Sequence, residues 1–287
     1  MKKNLIINDK MDMELLLNVM ERPELYSADI VPFWDDPHIS LQMLEAHLNP
    51  SLDAASYNHK KIVQIADWLV KYLNLQENAR ILDLGCGPGL YSTRFSQHGL
   101  NVVGMDYSKN SINYAKMSAE KKSLNIEYIY QDYLTMDYTS EFDAIVLIYC
   151  DFGALTDCKR DLLLKKIYKA LKPDGIFVFD VFTRSNWEQQ TKRNWYVSEA
   201  GFWRPSPHIV LEQTFHYETE NVYLNQYSII ERSGEVSNYN LYDHYYSKES
   251  IIHLMEEFGY QVQEIWSNLT GKAYMENTKC SGVVAKK

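Results

Sequence analysis

The feature that most constrains this chain is a glycine-rich turn between an apolar run and a helical pattern. Residues 81–92 read Ile-Leu-Asp-Leu-Gly-Cys-Gly-Pro-Gly-Leu-Tyr-Ser, with glycines at positions 85, 87 and 89. Glycine has no Cβ, so the backbone can turn sharply here and a ligand can press against it. A strand that ends in such a turn and opens a helix points backbone N–H groups at the crevice beside it. The pattern therefore predicts a ligand site at this turn.

The spacing of the glycines indicates which class of ligand the turn holds. The dinucleotide fingerprint G-x-G-x-x-G needs a third glycine at position 90, which is Leu90. The turn reads Asp-x-Gly-x-Gly-x-Gly instead, which resembles motif I of the class I S-adenosylmethionine (SAM)-dependent methyltransferases. In that family the turn lies against the methionine part of SAM. A strand-to-helix corner without a ligand is the plain structural alternative.

Two carboxylates at predicted strand ends extend the resemblance. Residues 101–106 predict a second strand ending at Asp106, roughly 20 residues after Asp83, where nucleotide-binding α/β folds place a carboxylate for the ribose hydroxyls. Residues 126–130 predict a third strand, and by resemblance the following Asp132 and Tyr133 meet the adenine ring. A carboxylate that only caps the next segment is the alternative for both acidic residues.

The next two predicted strands agree with the same family. Residues 142–148 are almost wholly apolar, as in a central parallel strand covered on both faces. By resemblance, residues 149–152 at its end face the methyl group of SAM. A Leu-Lys-Pro-Asp-Gly turn then precedes the apolar run 176–181, another feature similar to this family. The alternation of strands and helices predicts an α/β fold, a doubly wound seven-stranded mostly parallel sheet whose last strand is antiparallel.

The remaining segments predict the domain organisation. Residues 1–60 predict an N-terminal helical extension, with helices over 13–20 and from a cap at Ser40 to Pro50. Its aromatic loop 31–38 suits either a packed strap or a lid. Residues 61–181 and 247–287 form the predicted SAM-binding core. Residues 182–246 contain three β-type runs separated by polar turns, which predict an inserted antiparallel β lid.

The lid segment resembles the acceptor-binding lid of small-molecule methyltransferases. Its aromatic side chains suit a planar or cationic acceptor, although each also suits the core of a small β domain. The expected substrate-binding residues are Phe152, Trp187, Trp203 and His244. Candidate general bases are Asp151, Tyr149 and a lid histidine, namely His208, His216 or His244, with His216 preferred. The resemblance assigns cofactor contacts to Asp83, Gly85, Cys86, Gly87, Gly89, Asp106, Tyr107, Asp132, Tyr133 and Tyr149.

Composition narrows the expected partners. The net charge of −9 and the short, scattered basic pairs disfavour a nucleic acid. The Asn/Asp-Pro-Pro-Tyr sequence of DNA amino-methyltransferases is also missing. The four cysteines form no Cys-x-x-Cys pair, so neither a zinc site nor a disulfide scaffold is expected. With no signal peptide and no membrane span in the sequence, we expect a cytoplasmic monomer or homodimer.

These inferences converge on a SAM-dependent methyltransferase that acts on a nitrogen or oxygen of a small molecule. No metal is expected, because the sulfonium of SAM already activates the methyl group. A SAM-binding sensor or partner protein without catalysis keeps every cofactor motif and stays an alternative. A nicotinamide-dependent oxidoreductase is disfavoured by Leu90 and by the tyrosine-rich lid.

Overall fold

The computed structural model describes residues 3–27, 33–34, 36–187 and 193–287. The chain divides into two compact units. The core unit comprises Met43–Asn186 and Tyr246–Lys287, and the β unit comprises Met1–Gln42 and Trp187–Tyr245. The sequence-based boundaries were 60/61, 181/182 and 246/247. The two compact units meet at 42/43, 186/187 and 245/246 in the sequence.

In chain order, the helices and strands of the two units are β1 (Lys3–Asn4), β2 (Ile6–Ile7), β3 (Lys10–Met11), α1 (Met13–Met20), α2 (Ile39–Leu48), α3 (His59–Tyr72), β4 (Arg80–Leu84), α4 (Leu90–Gln97), β5 (Asn101–Asp106), α5 (Lys109–Lys121), β6 (Ile126–Tyr130), β7 (Phe142–Leu147), α6 (Asp157–Ala170), β8 (Leu171–Phe182), β9 (Arg193–Ser198), β10 (His208–Tyr217), β11 (Val222–Glu231), β12 (Glu235–His244), α7 (Lys248–Glu257), β13 (Gln261–Trp266) and β14 (Cys280–Lys286).

The core unit is built on a seven-stranded sheet in the order β13-β14-β8-β7-β4-β5-β6. Strands β8, β7, β4, β5 and β6 are parallel, whereas β14 is antiparallel to both β8 and β13. This confirms the predicted seven-stranded, mostly parallel sheet with an antiparallel last strand. The carboxyl ends of the five parallel strands share one edge, which is where open α/β sheets bind ligands.

Alternation along the strands creates two apolar layers, one on each face of this sheet. Leu82 and Leu84 of β4 belong to the cluster that includes residues of α6 and α7. Ile81 belongs to the opposite cluster, with residues of α3 and α4. Both faces of β4 are therefore buried, which explains why a doubly covered strand reads as a nearly continuous apolar run.

The β unit contains a five-stranded antiparallel sheet in the order β1-β12-β11-β10-β9. Strands β10, β11 and β12 confirm the predicted inserted antiparallel segment. The sequence did not predict β9, nor β1 from the chain's N-terminal segment, where Lys3 pairs with Val236. The predicted N-terminal helical extension contains α1 and α2, and the short strands β1, β2 and β3 precede them. Strand β1 has two residues, too few to show a periodic pattern.

The N-terminal end of α2 differs from the sequence-based expectation. Helix α2 begins at Ile39, and the Asp36 carboxylate accepts hydrogen bonds from the N–H groups of His38 and Ile39, both at 2.9 Å. Ser40 lies inside the helix, so the predicted Ser40 cap was wrong and Asp36 has that role. Within the preceding aromatic loop 31–38, residues 31, 32 and 35 lie outside the described residues.

No helix within the described ranges combines the length and the apolar character that crossing a membrane requires.

Candidate functional site

The glycine turn joins β4 to α4 at the carboxyl edge of the core sheet. All three glycines have positive φ, at 63° for Gly85, 52° for Gly87 and 77° for Gly89. A Cβ at Gly89 would overlap the hydroxyl of Tyr128 on β6. This clash and the positive φ each exclude other residue types at this position. The Cys86 N–H donates to the Met105 carbonyl at 3.1 Å. The turn is therefore fixed against β5 and β6.

Asp83 lies at the end of β4, directly beneath this turn. Its side chain is 2% exposed and accepts a hydrogen bond of 2.6 Å from the Ser92 hydroxyl on α4. Burial disfavours the charged carboxylate and raises the pKa of Asp83 to about 7, against the opposing effect of the Ser92 hydrogen bond. Asp83 thus links the strand to the helix across the turn.

Asp106 ends β5, as the sequence predicted. Its carboxylate accepts from the Gly87 N–H at 2.8 Å and from the Ser108 N–H at 2.7 Å. Burial raises the pKa of Asp106 to about 6, and the two N–H donors oppose that shift. Asp106 therefore holds the middle glycine of the turn. The adjacent Tyr107 ring is 51% exposed and stacks on the Tyr130 ring at 5.5 Å.

The structure links the predicted adenine-side residues to a candidate base. Asp132 caps the short helix Tyr133–Thr135 and accepts from the Leu134 N–H at 2.8 Å. This is the capping role that the sequence analysis gave as the alternative to an adenine contact. The Tyr133 hydroxyl donates to the Asp151 carboxylate at 2.8 Å. Burial raises the pKa of Asp151, and the bond from Tyr133 opposes that shift. Asp151 lies 3.7 Å from where a Cβ on Gly85 would be, so it borders the glycine turn.

The end of β7 has a strained backbone held by a buried carboxylate. Tyr149 and Cys150 have positive φ, 87° and 60°, which is unusual for residues with a Cβ. Their N–H groups both donate to Asp180 at the end of β8, at 2.8 and 2.7 Å, and the Tyr57 hydroxyl donates to its other oxygen at 2.8 Å. Asp180 is 1% exposed, and burial raises its pKa. The Tyr149 hydroxyl donates to the Asp53 carbonyl at 2.6 Å.

Asp180 supports the backbone at the end of β7, and the sequence analysis did not identify it. Asp180 ends the fifth predicted strand, so the strand-end rule that selected Asp106 would also have found it. Tyr57 precedes α3 without a recognisable motif.

Next to the glycine turn lies a cleft of about 380 Å³. Its lining residues are His47, Ala55, Ser56, Ile62, Asp83, Gly85, Cys86, Gly87, Pro88, Leu90, Tyr91, Ile148 and Tyr149. Five of the predicted cofactor residues are thus in this lining. Among the described residues that line the cleft, none is a lysine or arginine and Asp83 is the one acidic residue, so a cationic ligand would favour the ionised form of the Asp83 carboxylate.

One predicted substrate-binding residue of the core unit has a different environment. The Phe152 side chain is 0% exposed and packs against Phe179 and Tyr246, with ring centroids 4.6 and 5.9 Å apart. The structure therefore gives Phe152 a core position, which accounts for this side chain without any substrate contact.

The other predicted substrate and base residues belong to the β unit. Tyr223 stacks with both His216 at 4.1 Å and Trp187 at 4.9 Å, and the His216 Nε2 is 3.1 Å from the Tyr245 hydroxyl. Trp203 is buried and stacks on Tyr239 at 5.1 Å. His208 Nδ1 lies 2.7 Å from the Ser206 carbonyl, and His244 pairs with Val222 between β12 and β11. Their aromatic contacts suit the core of this unit, and a role in substrate binding or catalysis stays a prediction.

None of the four cysteines, all of which the structure describes, forms a disulfide, and Cys150 Sγ lies 3.7 Å from Cys280 Sγ. In the part of the chain that the structure describes, no three His, Cys, Asp or Glu side chains are grouped so that they could hold a metal ion.

Comparison with known protein families bears on this geometry. Residues 81–175, which include the glycine turn, Asp106, Asp132 and Asp151, match the family model of a methyltransferase domain. A putative methyltransferase of Geobacillus sp. (strain WCH70) is 27% identical over 224 residues, covering 76% of this chain and 88% of that protein. A ubiquinone biosynthesis O-methyltransferase of Bradyrhizobium sp. (strain ORS 278) is 37% identical over 118 residues. That second match spans 41% of this chain and less than half, 45%, of the relative.

Solved structures show the same fold. A SAM-dependent methyltransferase from Clostridium acetobutylicum ATCC 824 aligns with a TM-score of 0.66 at 17% identity, covering 84% of this chain and 97% of that chain. The SAM-bound amino pentose methyltransferase CalS10 from Micromonospora echinaspora aligns with a TM-score of 0.53 at 16% identity, covering 79% and 90%.

Proposed function

Because this chain is a class I SAM-dependent methyltransferase, we propose that it transfers the methyl group of SAM to a nitrogen or oxygen of a small-molecule acceptor. The observation that carries this proposal is the acidic cleft beside the glycine turn. SAM carries a sulfonium and an ammonium against one carboxylate, so a cleft that contains Asp83 and lacks a described basic residue suits it.

The residues of the core unit fit SAM in two further respects. Three positive-φ glycines leave bare backbone next to the cleft, which allows a ligand to approach closely. Asp106 accepts from the glycine turn and is only partly buried, so its carboxylate can also accept from ribose hydroxyls. We propose that Asp83, Gly85, Cys86, Gly87, Gly89, Asp106, Tyr107, Asp132, Tyr133 and Tyr149 form the SAM site.

When bound, SAM supplies an activated methyl group, and the chain must orient the acceptor and handle a proton. We propose Asp151 as the general base. Burial raises its pKa, which makes the Asp151 carboxylate a stronger base than an exposed one. The Tyr133 hydroxyl holds its carboxylate in place. Burial raises the pKa of Tyr149, so its hydroxyl keeps its proton and suits orientation better than proton removal.

The small size of the acceptor is supported by charge and by one relative. A net charge of −9 opposes a polyanionic substrate. The Bradyrhizobium relative is named for O-methylation in ubiquinone biosynthesis, which is chemistry on a small molecule. Because none of the four cysteines forms a disulfide, we propose that the protein acts in a reducing cytoplasm.

The test is transfer of label from methyl-labelled SAM in the presence of a cell extract separated into small molecules, proteins and nucleic acids. We expect label only in the small-molecule fraction, and we expect the Asp151→Asn variant to bind SAM but to transfer methyl slowly. Label in the protein or nucleic-acid fraction would contradict the proposed acceptor class. No transfer to any fraction, with SAM bound, would favour the sensor.

A further inference from the structure

The last turn of α2 brings a histidine to the glycine turn. A Cβ built on Gly87 would lie 3.4 Å from the His47 Cε1, and both residues line the cleft. The His47 carbonyl accepts from the His59 Nε2 at 3.0 Å, which joins the end of α2 to the start of α3. The position of this imidazole is therefore set by two helices.

Two polar atoms that belong to cleft-lining side chains are buried without a hydrogen-bond partner. They are the His47 Nδ1 and the Tyr91 hydroxyl, for which the described residues supply no donor or acceptor. Tyr91 is 7% exposed, and its ring stacks on Phe95 of α4, so its hydroxyl has a fixed position. A buried polar group without a partner is costly, and a ligand that supplies one relieves that cost.

The chemistry of SAM indicates which of its groups these atoms meet. Its carboxylate is its only anionic group and requires hydrogen-bond donors, which an imidazole N–H and a phenol hydroxyl can supply. The Tyr149 hydroxyl already donates to the Asp53 carbonyl. Burial lowers the pKa of His47 to about 4, so at neutral pH its ring is an uncharged donor and acceptor.

We infer that His47 Nδ1–H and the Tyr91 hydroxyl bind the carboxylate of SAM. This assignment rests on the proposed SAM site. His47 would then recognise the cofactor although it lies outside the glycine-rich motif. It also explains how an acidic cleft without a described basic residue accommodates an anionic group.

The experiment compares SAM with decarboxylated SAM, which lacks only that carboxylate, by calorimetry on the full chain. His47→Leu removes the donor, whereas His47→Asn keeps an N–H group near the Nδ1 position. Tyr91→Phe removes only the hydroxyl. His253→Leu is the control, since His253 is exposed on α7. Thermal unfolding of each variant checks that it is folded.

We expect the wild type to prefer SAM over decarboxylated SAM. His47→Leu should weaken SAM binding at least about tenfold, as for loss of a hydrogen bond to a charged group, and leave decarboxylated SAM within about twofold. Tyr91→Phe should show the same selective loss, His47→Asn should recover part of the affinity, and His253→Leu should match the wild type.

Two results would overturn this inference, and a third would overturn the proposed function instead. Equal losses for both ligands in His47→Leu would assign His47 to another part of SAM. Unchanged affinities would remove His47 from the site. If the wild type binds neither ligand, the SAM site itself is wrong, which is a distinguishable failure.

Discussion

Replacing Gly89 by alanine tests whether the glycine turn is fixed in the way the structure describes. Gly89 and Gly99 have nearly the same positive φ, 77° and 81°, so alanine at either position should lose about 1–2 kcal/mol from backbone strain alone. The two sites differ in what the new Cβ meets. At Gly99 its nearest neighbour is Glu77 Cγ at 3.3 Å, on a flexible side chain. At Gly89 it overlaps the Tyr128 hydroxyl and lies 2.7 Å from the ring carbon bearing it.

Overpacking of this kind costs about 1–3 kcal/mol beyond the shared strain, so Gly89→Ala should lose roughly 2–5 kcal/mol of unfolding free energy. Urea unfolding followed by circular dichroism gives both values, and hydrogen exchange in β4 and β5 assigns the transition to the core unit. In a Tyr128→Ala background the extra loss at Gly89 should disappear. Equal losses for Gly89→Ala and Gly99→Ala would refute the contact with Tyr128.

The buried carboxylates support three further predictions. Asp106→Ala should weaken SAM binding roughly tenfold or more while the chain stays folded, and unchanged affinity in calorimetry would remove Asp106 from the SAM site. Asp83 has its pKa raised from 3.8 to about 7, so its contribution to stability is complete below pH 4 and is lost as pH rises through 7, amounting to about 4 kcal/mol. From pH 4 to pH 8 the wild type should therefore lose unfolding free energy relative to Asp83→Asn, whose side chain does not titrate. If the difference between the two proteins is the same at both pH values, Asp83 is not a buried carboxyl with a raised pKa. Asp180→Ala leaves the N–H groups of Tyr149 and Cys150 without their acceptor and should cost about 3–5 kcal/mol in urea unfolding. The control is Asp137→Ala, which removes only an exposed ion pair with Lys169 and should leave the unfolding free energy nearly unchanged. Similar losses for the two variants would contradict the role of Asp180.

The core sheet could be predicted from the sequence because its signals are local. Apolar runs, strand-end carboxylates and glycines with one required conformation each follow from a few neighbouring residues. Asp83, Asp106 and the turn were found in this way. The partners of these residues were not, since the Tyr128 ring reaches Gly89 only through the pairing of β5 with β6.

His47 and the contact between Tyr57 and Asp180 show what could not be predicted from the sequence. His47 lies on a helix without a distinctive apolar stripe, and only the packing of its last turn brings it to the glycine turn. The Tyr57 hydroxyl donates to Asp180, which lies more than a hundred residues later in the sequence. The two-residue strand β1 is too short to carry a pattern and is specified by its pairing with β12. Long-range contacts of this kind leave no periodic trace in the sequence.

Calorimetric titration of the full chain with SAM, with S-adenosylhomocysteine and with nicotinamide dinucleotides tests the central claim most directly. The cleft beside Gly87, with Leu90 in place of the third glycine of a dinucleotide fingerprint, predicts saturable one-site binding of SAM and S-adenosylhomocysteine and no binding of the dinucleotides. Binding of a dinucleotide without binding of SAM would contradict it.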